Sequence, residues 1–385
     1  MARTDAPLVA MDEYLNHQIT DTFAAVSQSD RSWTEKVCLS VGAHDGSVQI
    51  GFGLGKYLNR NVMDAYAGIS RGREQFTVRG SRMLAPNPDE YSIGPIHYEI
   101  VEPLKAVRLR LEANDIQAIA FDVTIRCEDL PPFLETHEFR RQIGGYRVDN
   151  DLVRYHQCGV ASGWLEIDGE RTEITPEKFY ATRDHSWGVR YGVGDEPQDI
   201  MPGIDSSQFP MNFLWSPMRM QRPDGSVYGI HHFYLRIPIP GVPEVVEGGI
   251  EKLDGSRDDF THIEPALRYN PVNRRLEGGH LKVRTHSGEE RTLGIEVVSD
   301  TGFHLGTGLY FGLDGKHHGQ WRGELHLEGE HIEDCTELET AKRIHQIRDC
   351  IIRVTDGDAV GYANYQTVVN GEWPELGLDA TSSFI

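Results

Sequence analysis

No run of 18 apolar residues occurs in this 385-residue chain, which excludes a membrane-spanning helix of ordinary length. No apolar stretch follows Arg3, so no secretory leader is legible and a cytoplasmic protein is expected. Basic residues are scarce. Against 59 Asp and Glu there are 38 Lys and Arg, a formal net charge of -21 with no basic stripe. That balance argues against nucleic acid or an anionic membrane surface as partner, because both attract clustered cations. The five cysteines (Cys38, Cys127, Cys158, Cys335 and Cys350) are scattered, odd in number and form no CxxC pair. They read as reduced thiols rather than a disulfide framework. A Walker lysine and an HExxH pair are also missing. Gly51-Phe52-Gly53-Leu54-Gly55 is glycine-rich but lacks the βαβ frame of a phosphate cradle. No cofactor and no metal ligand set is assigned.

What is abundant is turn chemistry. Forty glycines and nineteen prolines punctuate short alternating segments such as Ala118–Ile125, Val160–Ile167 and Val227–Leu235. Asp-Gly pairs at 45, 168, 224, 254, 314 and 356 sit between such segments. A type I′ hairpin needs positive φ at both central positions, which Asp-Gly tolerates. Helical periodicity is nearly confined to residues 10–27, around Met11, Tyr14, Leu15 and Ile19. The chain is expected to be all-β, with sandwiches or up-and-down barrels as the candidate architectures. The polar, proline-bearing passage 194–203 reads as a linker. The expected division is a helical segment over 1–28, a first β domain over 29–198 and a second over 199–385.

The densest chemistry is Arg183-Asp184-His185-Ser186-Trp187-Gly188. In a strand, alternation sends Asp184, Ser186 and Gly188 to one face and Arg183, His185 and Trp187 to the other. A carboxylate inside an apolar β fold has its pKa raised by desolvation, or is held ionised by a cation such as Arg183. Either state suits acid/base chemistry. An Arg–Asp pair and a Trp plugging a sheet junction is the competing, purely structural reading. Among seventeen histidines, His156 and the pair His231-His232 lie in alternating segments. Adjacent imidazoles on a strand face opposite ways, and His232 shares its face with Tyr234. Tyr and Trp side chains spread through the strands are core fillers, or surfaces that stack on a ligand. Arg71, Arg73 and Arg79 are either solvated or available to a substrate carboxylate.

The Arg-Asp-His-Ser-Trp-Gly stretch, with the Gly163–Ile167 strand before it, resembles the lipocalin-like family of carotenoid hydratases (hydroxyneurosporene synthase) and AttH-type proteins. Gly308–Gly315, Gly319–Glu324 and Arg353–Tyr362 are similar to that family's second half. The resemblance implies two consecutive lipocalin-like antiparallel β-barrels with an apolar ligand cavity near their junction, to which the periodicity over 10–27 adds a short N-terminal helix. It makes Asp184 and His185 the first acid/base candidates. His156, His232 and Tyr310 are candidates for a second proton-transfer group. Arg183 would tune the carboxylate, while Trp187, Tyr191, Tyr234 and Tyr310 would contact substrate. The implied activity is a cofactor-independent lyase of hydratase or elimination type on a hydrophobic aromatic or isoprenoid small molecule. An isomerase, a cyclase or a non-catalytic carrier of the same ligands are the alternatives, and a homodimer is compatible with the sequence.

Overall fold

The computed structural model describes residues 8–17, 29–135, 140–143, 147–195, 197–201, 209–240 and 242–385. Strands dominate. In the first part of the chain they are β1 (Trp33–Ala43), β2 (Val48–Tyr57), β3 (Val62–Arg71), β4 (Glu74–Met83), β5 (Ser92–Ile93), β6 (Ile96–Glu102) and β7 (Ala106–Leu111). There follow β8 (Ile119–Arg126), β9 (Phe133–Leu134), β10 (Arg140–Ile143), β11 (Arg147–Ile167), β12 (Glu170–Ile174) and β13 (Phe179–Val189). The later strands are β14 (Met211–Gln221), β15 (Val227–Arg236), β16 (Val245–Glu251), β17 (Arg257–Tyr269) and β18 (Leu276–Thr285). The last are β19 (Glu290–Val297), β20 (Phe303–His304), β21 (Leu325–Ile332), β22 (Arg348–Asp356) and β23 (Ala359–Asn370).

They form two antiparallel, barrel-like sheets. The first runs β21-β4-β3-β2-β1-β13-β11-β8-β7-β6-β5, and Ile93 of β5 packs on Gly80 of β4, so it nearly closes. The second runs β19-β18-β17-β16-β15-β14-β23-β22 and closes through the β19–β22 pairing. β21 joins the first sheet although it comes from the later part of the chain. All-β organisation is therefore what the alternating segments build. Each barrel is filled from its own strands: Leu39, Phe52, Val107 and Phe121 in the first, Leu214, Leu281, Ile352 and Tyr365 in the second. Burying that apolar surface is what holds each sheet curled on itself.

The Asp-Gly signal works for a reason the backbone makes explicit. Five of the pairs connect neighbouring antiparallel strands, and Asp314-Gly315 closes a small bridge between Leu313 and Lys316. Positive φ at both positions, as a type I′ turn demands, occurs only at Asp168-Gly169 and Asp314-Gly315. At the other four pairs the glycine alone takes positive φ. At the N-terminus the helical expectation reduces to a 3-10 turn, Ala10–Glu13, while residues 18–28 lie outside the described residues. Glu13 and Leu15 are drawn fully into the first barrel, which pulls this segment out of a regular helix. The one α-helix among the described residues is Leu338–Ile344. No helix there is long and apolar enough to cross a membrane. The five cysteines are buried free thiols.

Candidate active site at the barrel junction

β13 separates two environments. Arg183, His185 and Trp187 point into the first barrel. There Arg183 Nη2 lies 2.6 Å from Glu13 Oε2, and the Tyr155 hydroxyl donates to Glu13 Oε1 at 3.2 Å. His185 Nε2 is 3.1 Å from Glu35 Oε1, and its Nδ1 is 3.3 Å from the Tyr155 hydroxyl. Trp187 stacks on His17 at 3.6 Å, and His17 Nδ1 is 2.5 Å from Glu35 Oε1. Burial opposes ionisation of Glu13 and Glu35. Arg183 beside Glu13, and His17 and His185 beside Glu35, nonetheless hold both carboxyls below the usual range. Every member of this network is partnered, so it serves as the polar plug of the first barrel.

Tyr180, Thr182, Asp184 and Ser186 face the opposite way, towards the second barrel. Asp184 lies opposite Cys38 on β1 and His156 on β11. Thr182 Oγ1 donates to Asn364 Oδ1 at 2.5 Å across the junction, and Asn364 Nδ2 donates to Asp349 Oδ1 at 3.0 Å. The Phe303 ring lies on Gly51 and Gly68, where any Cβ would collide with it. This explains the glycine-rich stretch of β2: it is a smooth bed for aromatic rings at the junction.

Asp184 is only half-buried, as are Arg154, Arg190 and Tyr310 near it. Among the described residues its carboxyl makes no hydrogen bond and no ion pair. Burial pushes that carboxyl up to about 6, against the pull of Arg154, Arg190 and Lys36. Asp349, buried on β22, is raised by the same cause to about 6. Lys36 Nζ sits 3.9 Å above the Tyr310 ring and 2.7 Å from His318 Nε2, and burial brings its ammonium down to about 7. Met211, Phe213 and Phe311, like Tyr310, are partly buried against the apolar cluster of Cys38, Tyr66 and Phe303.

Beside Asp184, His156 stacks on His231 of β15 at 3.6 Å. Glu135 faces both rings: its Oε1 is 3.6 Å from His156 Nδ1 and 3.5 Å from His231 Nε2. Arg154 Nη2 lies 2.8 Å from Glu135 Oε2, and Trp215 Nε1 donates to Oε1 at 3.2 Å. Burial opposes ionisation of Glu135, but Arg154 and His156 hold its carboxyl far below its ordinary value. A surface depression of about 440 Å³ lies elsewhere on the first sheet, lined by Arg108, Asp122 and Trp164 among others. Its charged lining, with Arg108 and Asp122 paired at 2.6 Å, does not suit an apolar ligand.

Of the residues singled out in the sequence, the fold brings Asp184, His156 and Tyr310 to one junction. It sends His185, Arg183 and Trp187 into the first barrel, so the guanidinium that tunes Asp184 is not Arg183 but Arg154, with Arg190. His232 turns into the second barrel, where its Nε2 is 2.9 Å from the Tyr365 hydroxyl and burial lowers it to about 3. The histidine of that pair at the junction is His231. Tyr234 belongs to the second barrel and donates to Glu244 at 3.3 Å, while Tyr191 is largely exposed beside Phe311. Arg71, Arg73 and Arg79 are engaged with Glu74, Asp334 and Glu330. Lys36, Glu135, Arg154 and Asp349 carry little local signal in the sequence, because segments far apart along the chain bring them together; His231 is marked only as one of a pair. The one available signal was that Lys36 alternates with Cys38 and Ser40 against an apolar opposite face.

A family model described as a family of unknown function (DUF8625) matches residues 8–379. No curated protein matches the chain. Among solved structures, an AttH-type protein of Nitrosomonas europaea is similar with a TM-score of 0.49 and 12% identity, over 87% of this chain and 91% of that one. Kievitone hydratase of Nectria haematococca is similar with a TM-score of 0.47 and 11% identity, over 94% and 93%. CghA, in its structure with Sch210972, has a TM-score of 0.46 and 12% identity, over 88% and 89%.

Proposed function

The chain belongs to the family of unknown function DUF8625, and for it we propose an acid/base enzyme acting on a hydrophobic small molecule at the barrel junction. The observation that carries this reading is Asp184: a half-buried carboxyl at the junction with no hydrogen bond or ion pair among the described residues. A carboxyl near 6 gives or takes a proton at neutral pH with little driving-force penalty. The apolar lining of Met211, Phe213 and Phe311 suits a hydrocarbon or aromatic skeleton. The Tyr310 ring suits a developing cation when Lys36 above it, brought down to about 7 by burial, is uncharged.

The reaction type is hydration or its reverse, elimination. The protonated Asp184 carboxyl gives its proton to one alkene carbon. Water adds to the neighbouring carbon, and the proton released from that water restores the carboxyl. Elimination runs these steps backwards. Isomerisation or cyclisation needs the same proton delivery without the water, and differs only in what captures the cation.

The test is incubation of wild-type protein and Asp184→Asn with extracts of hydrophobic metabolites, followed by mass spectrometry. Wild type should convert a compound with gain or loss of one water, and Asp184→Asn, folded by circular dichroism, should lose about 10²–10⁴-fold in rate. Equal turnover by both proteins removes Asp184 from the chemistry. A ligand retained and recovered unchanged makes the protein a carrier.

A further inference from the structure

We propose that Glu135, His156 and His231 form a site for a divalent transition ion of the zinc class, which ties the first barrel to the second. The ligating atoms of the three residues all lie within 4.8 Å of one another. Metal bonds of 2.0–2.2 Å at tetrahedral angles place neighbouring ligand atoms about 3.4 Å apart. The separations of 3.5 and 3.6 Å from Glu135 Oε1 to the two imidazoles match that edge. They are too long for good hydrogen bonds.

The second observation is His156 itself. Its residue is 1% exposed, yet both ring nitrogens are buried with no hydrogen-bond partner among the described residues. A buried imidazole without a partner is costly to keep, and a cation between it and Glu135 would satisfy it. The carboxylate is oriented from behind by Arg154 and Trp215, as outer partners orient a ligand in metal sites. Arg154 Nε reaches both Glu135 oxygens, at 2.9 and 3.0 Å. An ion therefore asks Arg154 to settle on Oε2, leaving Oε1 to the metal, and asks the stacked His156 and His231 rings to turn until their in-plane lone pairs converge.

The other cluster of similar composition behaves differently. His17, Glu35 and His185 also bring their ligating atoms within 4.8 Å. There the distances of 2.5 and 3.1 Å are hydrogen bonds, and Asp12 and Tyr155 take up the remaining ring nitrogens at 3.2 and 3.3 Å. That cluster is complete without an ion. At the junction, Glu135 follows β9, His156 is on β11 of the first sheet and His231 is on β15 of the second. A cation there cross-links the two sheets.

The experiment uses the full-length protein, stripped with a chelator and titrated with Co²⁺ and Zn²⁺. One equivalent of Co²⁺ should give the visible bands of a site with imidazole and carboxylate ligands in near-tetrahedral geometry, and Zn²⁺ should raise Tm. His156→Gln should lose both responses, whereas His17→Gln should keep them. Absence of the bands together with an unchanged Tm in wild type overturns the site, and that readout does not depend on any variant folding. Binding by His156→Gln equal to wild type overturns it as well.

Discussion

Arg183 and Glu13 form an ion pair with 2.6 Å between Nη2 and Oε2 inside the first barrel, on the far side of the sheet from Asp184. Both side chains are nearly inaccessible, so neither charge can fall back on water. Glu13→Ala leaves a buried guanidinium uncompensated and should cost about 3–5 kcal/mol. Urea denaturation measures it. Turnover per folded molecule should stay at the wild-type level, and a large fall would mean that this network reaches the reaction.

The Phe303 ring on Gly51 predicts a clash that can be relieved. Gly51→Ala should destabilise by roughly 1–3 kcal/mol, because the new methyl group overpacks the junction. Shortening the ring by Phe303→Leu in the same protein should recover part of the loss. Additive effects of the two substitutions, measured as a double-mutant cycle, would show that the contact does not matter.

His304 links stability to acid. Burial brings it down to about 3 in the folded protein, against an ordinary value near 6.5. A folded pKa below the unfolded one means that the unfolded chain takes up the proton first. Its contribution is therefore complete above about pH 6.5 and is lost as pH falls towards 3. Between pH 7 and pH 5, His304→Asn should lose less stability than wild type in paired denaturation curves. Identical losses would exclude this histidine as a source of acid lability.

Asn364 connects Thr182 of the first sheet to Asp349 of the second. Asn364→Ala leaves two buried polar groups without that partner and should cost about 1–3 kcal/mol. Hydrogen exchange should quicken on both β13 and β22. Quickening confined to β22 would show that Thr182 gains nothing from the bond.

The division of the chain into strands was readable because its signals are local. Asp45-Gly46, Asp224-Gly225 and Asp356-Gly357 mark turns by their own backbone preferences, whatever lies beyond them. Alternation along 179–189 likewise separates Asp184 from His185 whatever strands lie beside them. Less could be read where distant strands meet. His231 and His232 are chemically identical neighbours, and only the pairing of β15 with β14 and β16 decides which one reaches His156. Arg154 carries no mark in sequence that it, rather than Arg183, faces Asp184.

By itself the sequence determined an all-β chain and the two-sided character of the Arg183–Gly188 stretch, because the pleat alternates side chains with a period of two in any sheet. Only the tertiary structure decided which side is which. The curling of the first sheet turned Arg183, His185 and Trp187 inward onto Glu13, Glu35 and His17, and so left Asp184 outside that barrel and against the second one. The physical reason is that inside and outside are properties of a closed sheet, set by long-range pairings such as β1 with β13 and β19 with β22.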